Sequence, residues 1–191
     1  MMPVRIFKPV PDEGFEMCLP IDMADHDTIK FGVRGDRRGP SWRPIAMEII
    51  KEDETGALAY ADSPWFRSDA LVFRPPVIEA MEPLLSKSGE LLPLICQEAQ
   101  LVLFNPIRLD SALDEAASSL QRFPADGTIM MIDHHVFRPE VVAGADAFKI
   151  GNMRVSSTYL SEAFVARWMN AGLRGVVFKE VWPNPEKRSR R

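Results

Sequence analysis

Apolar residues in the first part of the chain recur on alternate positions. Val4, Ile6 and Phe7, then Phe15, Met17 and Leu19, then Ile29, Phe31 and Val33 form short clusters of this kind, and that spacing predicts strands with one buried face. Pro9, Pro11, Gly14 and Pro20 fall between the clusters and predict turns. Gly32 to Pro40 is rich in glycine and charge and reads as an exposed loop. Trp42 to Ile50 and Leu58 to Tyr60 read as two strands, with the charged stretch Lys51 to Gly56 as the tip of a hairpin.

The period changes at Pro75. Val77, Met81, Leu84 and Leu85 share one helical face and Ser88-Gly89 stops the run, which predicts a helix over 76–87. Two apolar runs, 91–96 and 101–105, are too short for helices and predict a hairpin turning about Glu98. Residues 110–120 fit either a short helix or capped turns, because Asp and Ser compete for backbone donors. Strands are expected over 128–132, 136–137 and 147–150, with a loop or helical turn over 138–144. A helix over 161–172 begins at the capping residue Ser161, carries Phe164, Val165, Trp168 and Met169 on its apolar side and stops at Gly172. A last strand spans 176–182, and 183–191 reads as a mobile polar tail. The sum is an α+β protein: a mixed, mainly antiparallel sheet with a few packed helices and a β-rich N-terminal half. Residues 1–182 are expected to form a single domain with possible lobes at 1–72 and 73–182.

Composition narrows the function. With 46% hydrophobic and 26% charged residues, the 191-residue chain has the make-up of a folded globular protein. A net charge of −4 opposes phosphate backbones and anionic lipid, so neither nucleic acid nor a membrane is an expected direct partner. Cys18 and Cys96 lie among apolar neighbours without metal-binding spacing, as buried thiols of a reducing compartment do. The N-terminus lacks the apolar segment of a signal peptide and no stretch is long and apolar enough to span a membrane, which gives a cytoplasmic expectation.

The sharpest catalytic candidate is Asp133-His134-His135 after the apolar run Ile129 to Ile132. A strand leading into Asp-His-His is the hallmark of a manganese-dependent phosphoesterase family, and two divalent ions would need further carboxylates around it. Asp25-His26-Asp27, Asp110 and Asp114 are the comparable groups upstream, and none follows a convincing buried strand. The phosphoesterase therefore stands as the alternative to a non-enzymatic reading, and no metal or other cofactor is expected. No Gly-x-Ser-x-Gly elbow presents a nucleophilic serine. The Gly32–Gly39 loop lacks the Lys-Ser/Thr of a phosphate-binding loop, and the basic end Lys187 to Arg191 reads as a solvated tail.

A series of pieces carries a resemblance that none carries alone. They are Trp65-Phe-Arg-Ser-Asp69, Ser88-Gly-Glu-Leu-Leu-Pro-Leu94, Leu101-Val-Leu-Phe-Asn105 and Leu109-Asp-Ser-Ala-Leu-Asp-Glu-Ala-Ala-Ser118. Ala147-Phe-Lys-Ile150, a serine-led helix holding Phe164, and Gly172-Leu-Arg-Gly-Val-Val-Phe178 followed by Trp182 complete the series. In this order they resemble the bacterial immunity proteins of family eleven, catalogued earlier as a domain of unknown function; residues 1–40 share no part of it. The resemblance implies a protein encoded beside a polymorphic toxin that binds the toxic domain and performs no chemistry of its own. Charge suggests where. Carboxylates at Asp12, Glu13, Asp22, Asp25, Asp27, Glu52, Asp53 and Glu54 would attract the basic cleft of a nucleic-acid-cutting toxin and speed its association. The aromatic residues Trp42, Trp65, Phe66, Trp168 and Trp182 fit interface anchors and core packing equally well.

Overall fold

The computed structural model describes residues 4–183. Of the polar tail expected over 183–191, all but Pro183 lies outside the described residues. The chain begins with β1 (Ile6–Pro11) and β2 (Met17–Pro20), then α1 (Ala24–Gly32) and a single 3-10 turn at Gly39–Ser41. Next come β3 (Met47–Ile50), the hairpin β4 (Glu52–Asp53) and β5 (Gly56–Ala57), β6 (Leu71–Phe73) and α2 (Pro75–Ser88). Strands β7 (Gly89–Pro93), β8 (Val102–Pro106), β9 (Arg108–Leu109), β10 (Ser119–Arg122) and β11 (Ile129–His134) follow. The short helix α3 (Pro139–Val142), β12 (Ala147–Ile150), β13 (Tyr159–Ser161), α4 (Glu162–Asn170) and β14 (Val176–Trp182) end it. The α+β class read from the sequence holds, with all strand pairs between named strands antiparallel except β9 with β12.

Among the described residues the strands form five sheets, and the two largest separate three cores. The larger has the order β14-β1-β13-β12-β9, and the smaller β6-β8-β7. Strand alternation sends Phe7, Ala147, Leu160 and Val176 to one face of the larger sheet, where they join Val77, Met81 and Leu85 of α2 and Phe164 and Trp168 of α4. Ile6, Phe148, Ile150 and Tyr159 point the other way and pack with Ile129, Phe137 and Val142. The smaller sheet divides in the same manner: Leu71, Phe73 and Phe104 join the helices, whereas Val72, Leu92 and Leu103 meet Cys18, Ile29, Trp42, Met47 and Ile49. Both faces of β12 and of β6 are buried, which is why each is an uninterrupted apolar run but for Lys149.

Several expectations are corrected. Ile29, Phe31 and Val33 do not form a strand. Residues 24–32 are helical with Ile29 and Val33 one turn apart and buried, Phe31 on the exposed side, and Asp25 and Asp27 in the first turn where the helix dipole favours them. Pro9 and Pro11 lie inside β1 rather than in turns; beyond Phe7 that strand pairs only with β14, and a one-sided strand tolerates the missing amides. The strand expected over 42–50 is regular only from Met47, after Pro40 and Pro44. The hairpin tip is where expected, although β5 covers Gly56–Ala57 and the chain keeps only the Leu58 to Lys51 bond and a bridge from Ala59 to Phe15 thereafter. Residues 110–120 resolve the open choice in favour of a capped turn: Asp114 Oδ1 accepts from the amides of Ala116 and Ala117, both at 3.2 Å. The helices at 75–88 and 162–170, the hairpin of β7 and β8 and the last strand form as predicted, with Ser161 Oγ accepting from the Phe164 amide at 3.1 Å.

Candidate functional site

The Asp133-His134-His135 triplet is drawn apart by its own strand. Asp133 is exposed and both of its oxygens accept from Gln121 Nε2 on β10, at 3.2 Å. His135 turns inward, where Nε2 meets the Tyr159 hydroxyl at 3.0 Å and the ring stacks on Phe137 at 5.8 Å. Burial, with smaller contributions from nearby Lys8 and His134, pushes its pKa down to about 4, so the ring is neutral at pH 7. Of the carboxylates upstream, Asp110 is bound to Arg108 at 2.9 Å and Asp114 caps its turn, while His26 lies against Phe66 at 5.5 Å. Among the described residues, no three His, Cys, Asp or Glu side chains are grouped so as to hold a metal ion. The Cys18 thiol is equally quiet: it is fully buried, burial raises its pKa, and its Sγ faces the Pro64 carbonyl at 3.5 Å, whereas Cys96 is half-buried rather than buried as expected.

The glycine-rich loop binds an anion supplied by the chain itself. Arg38 and Gly39 amides donate to Glu90 at 2.6 and 3.3 Å, and the Gly35 amide donates to Asn105 at 2.9 Å. Burial works against the Glu90 carboxylate, but these amides and Asn105 outweigh it and hold the pKa below the usual range. Close by, Lys149 of β12 is 1% exposed and donates to the carbonyl of Val33 at the end of α1. Burial pulls its pKa down to about 8 against the opposing pull of Asp69. A lone lysine in Phe148-Lys-Ile150 was the available sequence signal, and it marks a joint between α1 and the larger sheet.

The acidic residues divide between two ends of β2. Asp12 and Glu13 occupy the turn after β1, and Gly14 beside them accepts from the Ala59 amide at 2.8 Å, next to the hairpin that carries Glu52, Asp53 and Glu54. Asp22, Asp25 and Asp27 lie at the opposite end, where β2 gives way to α1. Thr55 donates to Asp53 through both hydroxyl and amide, which lowers the carboxyl pKa. All are exposed except the half-buried Asp12 and Asp25. Thus five of the eight carboxylates share one end and three the other.

Among the described residues two clusters of apolar surface stand out, besides single exposed side chains such as Tyr60, Met169 and Val177. A groove of 380 Å³ runs along β11 between Met131, Met153, His135, Tyr159 and Lys8, and a second cavity of 250 Å³ continues past Met130 to Phe31 and Phe123. The other is a sheet face, with Leu19, Ile21 and Ile95 on the outer side of the strands that bury Cys18, Met47 and Ile49. The sequence held a signal for this face, because Met17-Cys-Leu-Pro-Ile21 is apolar at both parities, whereas a half-buried strand needs only one.

Residues 97–182 match the Imm11 immunity protein family. No curated protein matches the chain. The Imm11 segment takes in the later pieces of the resemblance, from Leu101-Val-Leu-Phe-Asn105 to Trp182, and leaves Trp65 to Asp69 and Ser88 to Leu94 outside. It supplies β14, β13, β12 and β9 of the larger sheet, but β1 between β14 and β13 comes from the residues before it. His135, Lys149, Tyr159 and most of the groove lie within the Imm11 segment; all eight carboxylates and the exposed sheet face lie outside it. Among the described residues no helix is long and apolar enough to cross a membrane.

Proposed function

We propose that the protein is an immunity protein that binds one cognate toxin domain, encoded by an adjacent gene of the same bacterium, and neutralises it in the cytoplasm by occupying its surface rather than by catalysis. The observation that carries this reading is the Imm11 match over residues 97–182. Two features support it. His135 and Asp133 are committed to Tyr159 and Gln121, which leaves the phosphoesterase alternative without an assembled ligand set. The excess of exposed carboxylates on the N-terminal residues suits a basic partner, whose approach it would accelerate. Asp12, Glu13, Glu52, Asp53 and Glu54 at one end of β2 and Asp22, Asp25 and Asp27 at the other act in this proposal as steering charges. Residues 1–182 work as one α+β unit, since β1 is held between β13 and β14.

The test is calorimetric titration of the full chain with the catalytically inactivated toxin domain from the neighbouring gene. A 1:1 complex burying about 1,600 Å² is expected, together with rescue of growth when both genes are expressed. No binding and no rescue would overturn the proposal, and stoichiometric manganese in the purified protein with phosphoesterase activity lost in His135→Ala would replace it.

A further inference from the structure

A solvated strand face is ordinarily polar, and here it carries Leu19, Ile21 and Ile95 beside Glu48. Ile21 follows β2 and donates its amide to Ala46 at 2.9 Å, while Ala46 bridges to Ile95 on the far side. The Met47 amide donates to the Ile95 carbonyl at 2.7 Å and the Ile95 amide to Ile45 at 2.9 Å. Residues opposed in register point to the same side. Ile21, Ala46 and Ile95 therefore form a row across three extended segments just outside β2, β3 and β7, and Leu19, two positions back from Ile21, extends it. Exposures are 39% for Leu19, 62% for Ile21 and 55% for Ile95, and Met23 at the cap of α1 adds another apolar side chain at 76%.

The border of this row is acidic. Glu48 stands opposite Leu19 in the β2–β3 register. Asp22 follows Ile21, fixed by accepting from the Ala24 amide at 2.9 Å, and Asp25 and Asp27 follow in the first turn of α1. Of the basic groups nearby in sequence, Arg43 donates to the Pro40 carbonyl and Lys51 is paired with Glu98. A second copy of this chain would bring one acidic border against another, which disfavours self-association. A partner with an apolar projection among lysines and arginines satisfies both the row and its border.

We infer that this face, Leu19, Ile21, Met23 and Ile95 bordered by Asp22 and Glu48, is where the toxin domain docks, and that the partner's contacting surface is basic around an apolar centre. The inference rests on the proposed immunity function. Every one of these residues precedes residue 97, so the proposed docking face lies outside the matched segment.

The experiment uses the full chain and, as probe, the inactivated toxin domain of the neighbouring gene. Ile21→Lys/Ile95→Lys is expected to weaken binding by about 100-fold or more, because a charge replaces apolar anchors at the centre. Asp22→Lys/Glu48→Lys should slow association by ~10-fold, an effect that shrinks at high salt. Met130→Lys/Met131→Lys, on the groove, should leave affinity unchanged. Circular dichroism and melting of each variant confirm that it folds. Wild-type chain that fails to bind overturns the proposed function itself. Wild-type binding that survives both face variants, or that is lost in the groove variant alone, overturns this inference while leaving the function standing. Light scattering supplies a further arm: a wild-type dimer dissolved by Ile21→Lys would assign the face to a second copy and also overturn it.

Discussion

The residues before 97 and the Imm11 segment each hold a buried cation, Arg74 and Lys149, and the two are compensated differently. Arg74, at the start of α2, donates to Glu16 and to the Ala61 carbonyl, each at 2.6 Å, so the buried cation has a buried anion. Lys149 and His135, in the Imm11 segment, hydrogen-bond to a carbonyl and a hydroxyl, with Asp69 as the carboxylate that pulls on Lys149, whereas Asp146 of the same segment is ion-paired with Lys87. Burial accordingly favours their neutral forms. The N-terminal residues display an apolar row to solvent, and the Imm11 segment lines a groove with Met131 and Met153 while leaving Met169 of α4 65% exposed. The contrast teaches that the matched segment is built as a frame, sensitive to what lies inside it, whereas the N-terminal part combines a compensated interior with a surface available to a partner.

The strongest way to break this division is to cut the chain. If the Imm11 segment were a complete frame, residues 97–182 expressed alone would fold. They would lack β1, which lies between β14 and β13, and β6 and β7, which flank β8, exposing unpaired backbone and the whole face that α2 covers. The expected outcome is a fragment without a cooperative thermal transition and with exposed apolar surface, checked by circular dichroism and dye binding. A sharp melt would show that family match and folding unit coincide after all.

Next in size is the Glu16–Arg74 pair. Arg74→Met leaves the Glu16 carboxylate buried without its counter-charge, and the expected loss is about 3–5 kcal/mol in urea unfolding. The double variant Glu16→Leu/Arg74→Met removes both charges and should recover most of it. Equal losses in single and double variants would mean that the pair acts through packing alone and that the interior is not charge-compensated.

Much of this architecture was legible in the sequence, for identifiable reasons. The helix over 75–88 and the β7–β8 hairpin were readable because local spacing and tertiary burial agree: Val77, Met81 and Leu85 are both periodic and buried. Helix α1 was not readable. Ile29, Phe31 and Val33 fit a strand by alternation and a helix by the one-turn spacing of Ile29 and Val33, and only packing against Cys18 and Trp42 decides between them. Strand β13, three residues long, is specified by its neighbours β1 and β12 rather than by its own pattern. The acidic residues could be seen but not placed, because their distribution between the two ends of β2 depends on register. His135 could be mistaken for a ligand, since its hydrogen-bond partner Tyr159 is 24 positions away.

Acid should separate the two regions. The folded pKa of His135 is about 4 against an ordinary 6.5, so the unfolded chain binds a proton in that interval and the folded chain does not. Its contribution to stability is complete above pH 6.5, declines as the pH falls and is lost at about 4. The shift corresponds to roughly 3 kcal/mol at most, less some solvent screening. Denaturant unfolding of wild type between pH 6.5 and 5 should show this decline, and His135→Gln, which keeps a polar partner for Tyr159, should flatten it. An unaltered slope would place the titrating group elsewhere.

The smallest effect is the most informative about the surface. Ile21 and Ile95 are apolar residues in strand-like positions, yet more than half of each is exposed, so the folded state gains little from them that the unfolded state lacks. Ile21→Lys and Ile95→Lys should each change unfolding free energy by less than about 0.5 kcal/mol, the range for surface substitutions without special contacts. Ile150→Lys, an equivalent change on a strand buried on both faces, should by contrast prevent folding or cost several kcal/mol, on the order expected for an unpaired charge in a core. A residue that contributes so little to the fold, and that exposes apolar surface, is better explained by what it touches in another molecule. If Ile21→Lys proved strongly destabilising, the row would belong to the core after all, and the separation of partner surface from frame would disappear with it.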